Sequence, residues 1–329
     1  MKHTIKTFFT FALALALFGI TACKGPSDNN SDGTDEGVRS WTAELTLSSD
    51  TLGIKVTVTT DDGTPVTVEG CTETELKSGT ATDLHANGTR VKLTGKITGL
   101  SCGSNKLTAL NVQGGKTALK DLRCDDNKLA ALDVHGCTAL TGLSCDGNEQ
   151  LTSLNVQGCT ALTGLSCQNN GLSSLDVHGC TALGSLRCDE NKLTSLNVQG
   201  CTVLSWLGCA GNQLETLNVQ SCTALSMLSC AKNKLTSLNV QGCTSLGKLD
   251  CYDNKLNAAA FTKILNALPV HAGGQCTLYT EESGVTEGNC KDFTSATAPV
   301  DLKTAFSKAK AEKKWKMYKR NAAEQQEEI

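Results

Sequence analysis

Aromatic side chains make up only 4 % of the 329 residues, so the interior is not one of packed rings. Charge of one sign is equally scarce. A net charge of −3 gives no electrostatic reason to expect nucleic acid as a partner. The longest apolar run, Phe8–Ile20, has about 13 residues where a membrane helix needs about 20. No Gly-x-Ser-x-Gly, phosphate-cradling loop or carboxylate pair stands out, so no enzyme, catalytic residue or cofactor is expected.

What the chain does contain is repetition. The pattern Leu-x-x-Leu-x-Cys-x-x-Asn, as in Leu119–Asn127, recurs with lead cysteines at 102, 124, 145, 167, 188, 209, 230 and 251. The spacings are 22, 21, 22, 21, 21, 21 and 21 residues. A fixed period in the twenties marks a solenoid, in which each unit buries its apolar edge by stacking on a neighbour. Within a coil, Leu122 and Cys124 should point inward from a short strand with Arg123 outward. Asn127 and its counterparts should satisfy backbone groups where the chain turns. The second half of each coil, as in Leu129-x-x-Leu132-x-Val134, leaves too few residues for a helix. We therefore expect two extended faces, the first a regular parallel sheet and the second looser. Eight coils spaced about 4.8 Å apart give a rod roughly 35–40 Å long.

This pattern resembles the leucine-rich repeat, with cysteine in place of the third leucine, over about half the chain. The expected fold is mainly β: a leucine-rich repeat solenoid of about eight coils, with an N-terminal β cap and a C-terminal α/β cap. The 21-residue period with a cysteine ladder further resembles the internalin-J-like group of bacterial surface proteins. That resemblance implies protein recognition or adhesion at a cell surface.

The chain begins with Lys2 and Lys6 ahead of the apolar run, as in a secretory signal. Ile20-Thr21-Ala22-Cys23 resembles the bacterial lipobox, which implies lipidation of Cys23 and a membrane attachment through that lipid. The expected organisation is a signal peptide (1–22), a flexible Ser/Asp/Asn/Gly-rich tether (23–40), a β cap (41–92), the solenoid (93–256), a helical cap (257–320) and a disordered tail (321–329). In the β cap, Asp61-Asp62-Gly63 reads as a hairpin turn between strands. In the C-terminal cap, helices are expected over Ala258–Leu268 and from about Val300 to Lys314, with a closing strand at Trp315–Tyr318. The segment Ala309–Trp315 resembles the C-terminal end of many surface leucine-rich repeat lipoproteins of Bacteroidetes type, which implies the outer membrane surface of a bacterial envelope.

Eighteen cysteines fall into groups. Besides Cys23 and the eight lead cysteines, Cys137, Cys159, Cys180, Cys201, Cys222 and Cys243 form a second column in which Gly115 stands at the first position. Parallel in-register side chains point the same way and do not offer the roughly 90° dihedral of a disulfide, so both columns read as reduced ladders of small hydrophobes. Cys276 and Cys290 close a short loop and are a candidate disulfide. The pairs His135-Gly-Cys137 and His178-Gly-Cys180 lie two coils apart, about 9.6 Å, so no shared metal is expected.

Since packing fixes the inward positions, recognition must use the outward ones. Most of these are small and polar. The exceptions gather at Arg187, Trp206, Met227, Lys248, Asp250 and Tyr252, residue types that anchor interfaces. A host, matrix or neighbouring-cell protein is the expected ligand. The alternative is a glycan, stacked on Trp206 and Tyr252.

Overall fold

The computed structural model describes residues 39–220, 222–281, 288–294, 301–321, 323 and 325–329. The expected signal segment, Cys23 and nearly all of the tether lie outside these residues. No helix among them is long and apolar enough to cross a membrane.

The lead-cysteine repeats form eight stacked coils, numbered here from Cys102 to Cys251. Each contributes a three-residue or slightly longer strand to one continuous sheet, paired in parallel with leucine opposite leucine: Leu122, Leu143, Leu165, Leu186, Leu207, Leu228 and Leu249. The second halves pair only two at a time, for example Ala131–Asp133 with Ser153–Asn155. The two expected faces, regular and loose, are therefore both present. Alternation drives the inside/outside split: Leu122 and Cys124 are fully buried while Asp121 and Arg123 are exposed.

Asparagine stitches the coils together. The Asn148 amide donates to the carbonyls of Cys145 in its own coil and Cys124 in the preceding one, each at 3.0 Å. Its Oδ1 accepts the Leu129 N–H at 3.1 Å. Just before each asparagine the backbone is left-handed, at Ser104, Asp126, Gly147, Asn169, Glu190, Gly211, Lys232 and Asp253 (φ between 51° and 68°). Only two of those eight are glycine, so six coils accept a conformation that disfavours a Cβ.

The thiols donate too, in opposite directions. In the lead column Cys124 and Cys145 reach forward to the carbonyls of Ser144 and Ser166, each at 3.6 Å. In the second column Cys159 and Cys180 reach back to Val134 (3.1 Å) and Val156 (3.6 Å). No cysteine among the described residues is bridged. Burial pushes the Cys102 thiol up to about 12 and those of Cys180 and Cys243 up to about 11.

The N-terminal cap extends both faces of the stack. Its strands are β1 (Trp41–Thr46), β2 (Gly53–Thr60), β3 (Val66–Glu69), β4 (Glu75–Leu76), β5 (Thr82–His85) and β6 (Arg90–Gly95), and β7 (Ile97–Ser101) opens coil 1. Strand β2 pairs antiparallel with β7 and so prolongs the main sheet. Strand β1 pairs with β6 and with Ala109–Asn111, covering the second face of coil 1. The turn at Asp61–Gly63 forms, but it is no hairpin: β2 goes to one sheet and β3 to the other, alongside β6. Asn105, with no earlier coil to bond, takes the Lys55 N–H and donates to the Lys55 carbonyl, both at 2.8 Å. The Trp41 ring explains the missing cysteine at Gly115, where an added Cβ would lie 2.5 Å from the ring. The extra residue Lys116 follows a 3-10 turn over Gln113–Gly115.

At the other end, α1 (Ala258–Ala267), capped by Asn257, replaces the second face of coil 8. The strand Gly274–Glu281 adds a ninth parallel rung beside Lys248–Asp250, followed by α2 (Leu302–Ala311) and the strand Trp315–Asn321. Trp315 is buried against Gly274, its Nε1 donating to the Pro269 carbonyl at 2.8 Å. Two expectations need correction here. The disordered tail instead carries a strand, Gln326–Glu328, antiparallel to Tyr318–Arg320. The Cys276–Cys290 bridge is absent. Cys276 is buried on the ninth rung opposite Leu249, whereas Cys290 follows Asn289, which is fixed in the asparagine column. Asn289 takes the Leu256 N–H at 2.8 Å and donates to the carbonyls of Cys251 (2.9 Å) and Leu278 (2.8 Å). The neighbouring Cys290 thiol points to the Asp292 carbonyl at 3.4 Å.

Candidate functional site

Parallel pairing turns the outward positions of the main sheet into columns across the coils. The column just before the second leucine reads Asp121, Gly142, Gly164, Ser185, Trp206, Met227 and Lys248, each opposite the next. The column just before the cysteine reads Arg123, Ser144, Ser166, Arg187, Gly208, Ser229 and Asp250.

The structure brings most of the expected patch together. The Arg187 guanidinium lies over the Trp206 ring, 3.9 Å from its centroid, a cation–π stack that fixes both side chains. Met227 stands beside Trp206 and remains 40 % exposed, one of four large hydrophobic side chains this open among the described residues. Lys248 follows Met227 and pairs with Asp250 at 3.6 Å. Asp250 also accepts the Thr277 hydroxyl at 2.6 Å. Tyr252 behaves differently. Half-buried, it accepts a 2.6 Å hydrogen bond from Arg320, whose guanidinium lies 4.6 Å from its ring centroid. That side chain is engaged by the C-terminal cap rather than displayed.

Beside the patch lies a feature hidden from the sequence. Gly142, Ser144, Gly164 and Ser166 leave a shallow trough of about 590 Å³, bounded by Asp121 and Arg123 at one end and Arg187 at the other. Asp146 forms part of its wall, accepting the Ser166 hydroxyl (2.8 Å) and the Gln168 N–H (2.7 Å). Read as letters these positions are bland; only the pairing register shows that the missing side chains are adjacent.

The remaining polar candidates are structural or scattered. His135 and His178 are both exposed, on separate coils. Among the described residues no three His, Cys, Asp or Glu side chains are gathered as a metal ion would require. Near the C-terminus, Lys313 caps α1 by donating to the carbonyls of Leu265, Asn266 and Leu268 (2.6–3.1 Å). Lys319 pairs with Glu281 and Glu327.

No protein-family model matches the chain, and no curated protein sequence matches it. Among solved structures, it is similar to the functional domain of InlJ from Listeria monocytogenes, which includes a cysteine ladder. The two share 36 % identity over 58 % of this chain and 42 % of that one, with a TM-score of 0.49. It is also similar to YopM from Yersinia pestis (21 % identity, 55 % and 51 % covered, TM-score 0.42). A third likeness is to the internalin InlF from Listeria monocytogenes (19 % identity, 54 % and 66 % covered, TM-score 0.35). The chain thus spans less than two thirds of each of these structures.

Proposed function

We propose that this chain is a lipid-anchored cell-envelope protein whose solenoid recognises a protein partner without catalysis. In this reading Cys23 carries the lipid, residues 24–40 are the tether, and the repeats face outward from the outer membrane of a Bacteroidetes-type bacterium. One observation carries it: the ordered row Arg187–Trp206–Met227–Lys248 on the outward side of the main sheet. Those positions contribute little to packing, and a guanidinium stacked on an indole beside an exposed methionine is interface-anchor chemistry.

The side-chain arrangement favours a protein over a glycan. One face of the Trp206 ring is covered by Arg187, and Tyr252 is tied to Arg320. Neither aromatic ring is an open platform for a sugar.

The test begins in intact cells of the native organism. Brief protease treatment should remove the repeat domain from wild-type cells, and Cys23→Ala should release the protein from the membrane fraction. Purified repeat domain should bind cells or matrix proteins, and the paired substitution Trp206→Ala with Met227→Ala should abolish that binding. Protection from protease would place the repeats inside the envelope and end the adhesion reading. Binding to a glycan array that Trp206→Ala removes would establish the alternative.

A further inference from the structure

The trough and the tryptophan row share one column of residues, and that column has opposite chemistry at its two ends. At the coil-2 end, Asp121 and Asp126 are exposed, and Asp125 is partly so. Among the described residues none of their carboxylates has a hydrogen-bond or ion-pair partner, and neither has the Arg123 guanidinium between them; only their backbone groups are bonded. At the other end stand Trp206 and Met227. Between them the column passes Gly142, Gly164 and Ser185, which present almost no side chain. The contrast with coil 8 is direct, since Lys248 and Asp250 there neutralise each other.

An unpaired charge at one end, an apolar anchor at the other and a bare floor between them together define a ligand. We propose that this column seats an extended segment of a protein partner running along the stack, with a lysine or arginine over Asp121 and Asp125 and an apolar residue against Trp206. The inference rests on the protein-recognition reading above and gives its partner a pattern. Asp121 and Trp206 are four rungs apart, roughly 19 Å at the strand spacing of a sheet. An extended chain advances about 3.3 Å per residue, so the basic and apolar residues are about six positions apart. The sign of charge follows from the trough's own groups. Four carboxylates (Asp121, Asp125, Asp126 and Asp146) face two guanidiniums, and Arg187 is turned onto Trp206. Gly164 makes the floor accessible, because an added Cβ there would meet nothing within 4 Å.

That last fact supplies a clean test. Gly164→Leu has room to fold yet fills the trough. Fluorescent peptides carrying Arg and Leu separated by neutral spacers of about two, five or eight residues are titrated into the repeat domain. The five-residue spacer should bind tightest, and Gly164→Leu, Asp121→Asn with Asp125→Asn, and Trp206→Ala should each weaken it by about tenfold. Glu in place of Arg should weaken it at least as much, and added salt should narrow the gap. Binding that ignores spacer length or Gly164→Leu, preference for the Glu peptide, or no binding of the five-residue peptide overturns the proposal. The two readings fail separately. Capture of cells or matrix that is lost with Trp206→Ala but kept with Gly164→Leu retains protein recognition and removes this path; no capture at all removes both.

Discussion

The ends and the middle of the stack use tryptophan in opposite ways. Trp41 and Trp315 are buried, each against a glycine, and each ring N–H donates to a backbone carbonyl. Trp206 lies half-exposed on the outward face beneath a guanidinium. An end coil has apolar surface with no successor to cover it, and a large ring covers the most surface per residue. A middle coil is covered on both sides, and there the interior needs only leucine, valine, thiols and amides. Trp206 therefore answers no packing need, which is why its position points to recognition.

The largest expected effect belongs to the middle. Burial raises the thiols of Cys102, Cys124, Cys145, Cys167, Cys188, Cys209 and Cys230 above 9, with Cys102 reaching about 12. Between pH 9 and about 12 the folded chain thus binds more protons than the unfolded one. Stability is fully present below pH 9 and falls as pH rises, by about 1.4 kcal/mol per buried thiol per pH unit. In reducing buffer, circular dichroism should show cooperative unfolding on the alkaline side far earlier than for the same domain with several lead cysteines changed to valine. Coincident alkaline midpoints would mean that the thiols do not limit the stack.

The tryptophan comparison itself comes next. Trp315→Ala should cost about 3–5 kcal/mol in urea unfolding, as a large buried ring does, whereas Trp206→Ala should cost about 1 kcal/mol or less. Gly115→Ala sharpens the contrast, since its Cβ falls on the Trp41 ring. It should destabilise by about 1–3 kcal/mol in the wild type and by less when Trp41 is Leu. Equal costs in the two backgrounds would show that the ring is not what keeps a side chain out of that position.

The smallest effect concerns the left-handed residue of each coil. Lys232 adopts φ 54° where coils 3 and 6 have glycine. Lys232→Gly should stabilise by about 1 kcal/mol, read as a higher urea midpoint. A lower midpoint would mean that the side chain contributes more than its backbone strain costs.

The solenoid was legible because its determinants repeat. Leu122 and Leu143 announce a shared register by recurring at a fixed interval, and Asn127 and Asn148 mark the same turn in successive coils. The parts that escaped have partners distant in sequence or no side chain at all. Val58 lies opposite Leu100 and Val68 opposite Leu93, so the turn at Asp61–Gly63 could not reveal that its two strands diverge. Asn289 completes the asparagine column from a loop outside the period, with its bonding partner Cys251 38 residues earlier. Tyr252 seemed available because Arg320, 68 residues later, is invisible at that range. The trough is a run of absences at Gly142 and Gly164, and absence acquires a shape only once the strands are aligned.

The antiparallel strand Gln326–Glu328 changes what the end of the stack presents. Every rung exposes the next row of backbone donors and acceptors at the same repeat found in amyloid fibrils, so a stack of identical coils is a template for unlimited growth. Gln326, Glu327 and Glu328 reverse the strand direction at the terminal edge and line it with two carboxylates. A second copy approaching end-on meets a ladder running the wrong way. The repeat thus ends, among the described residues, on a strand whose direction offers an incoming parallel rung no matching ladder.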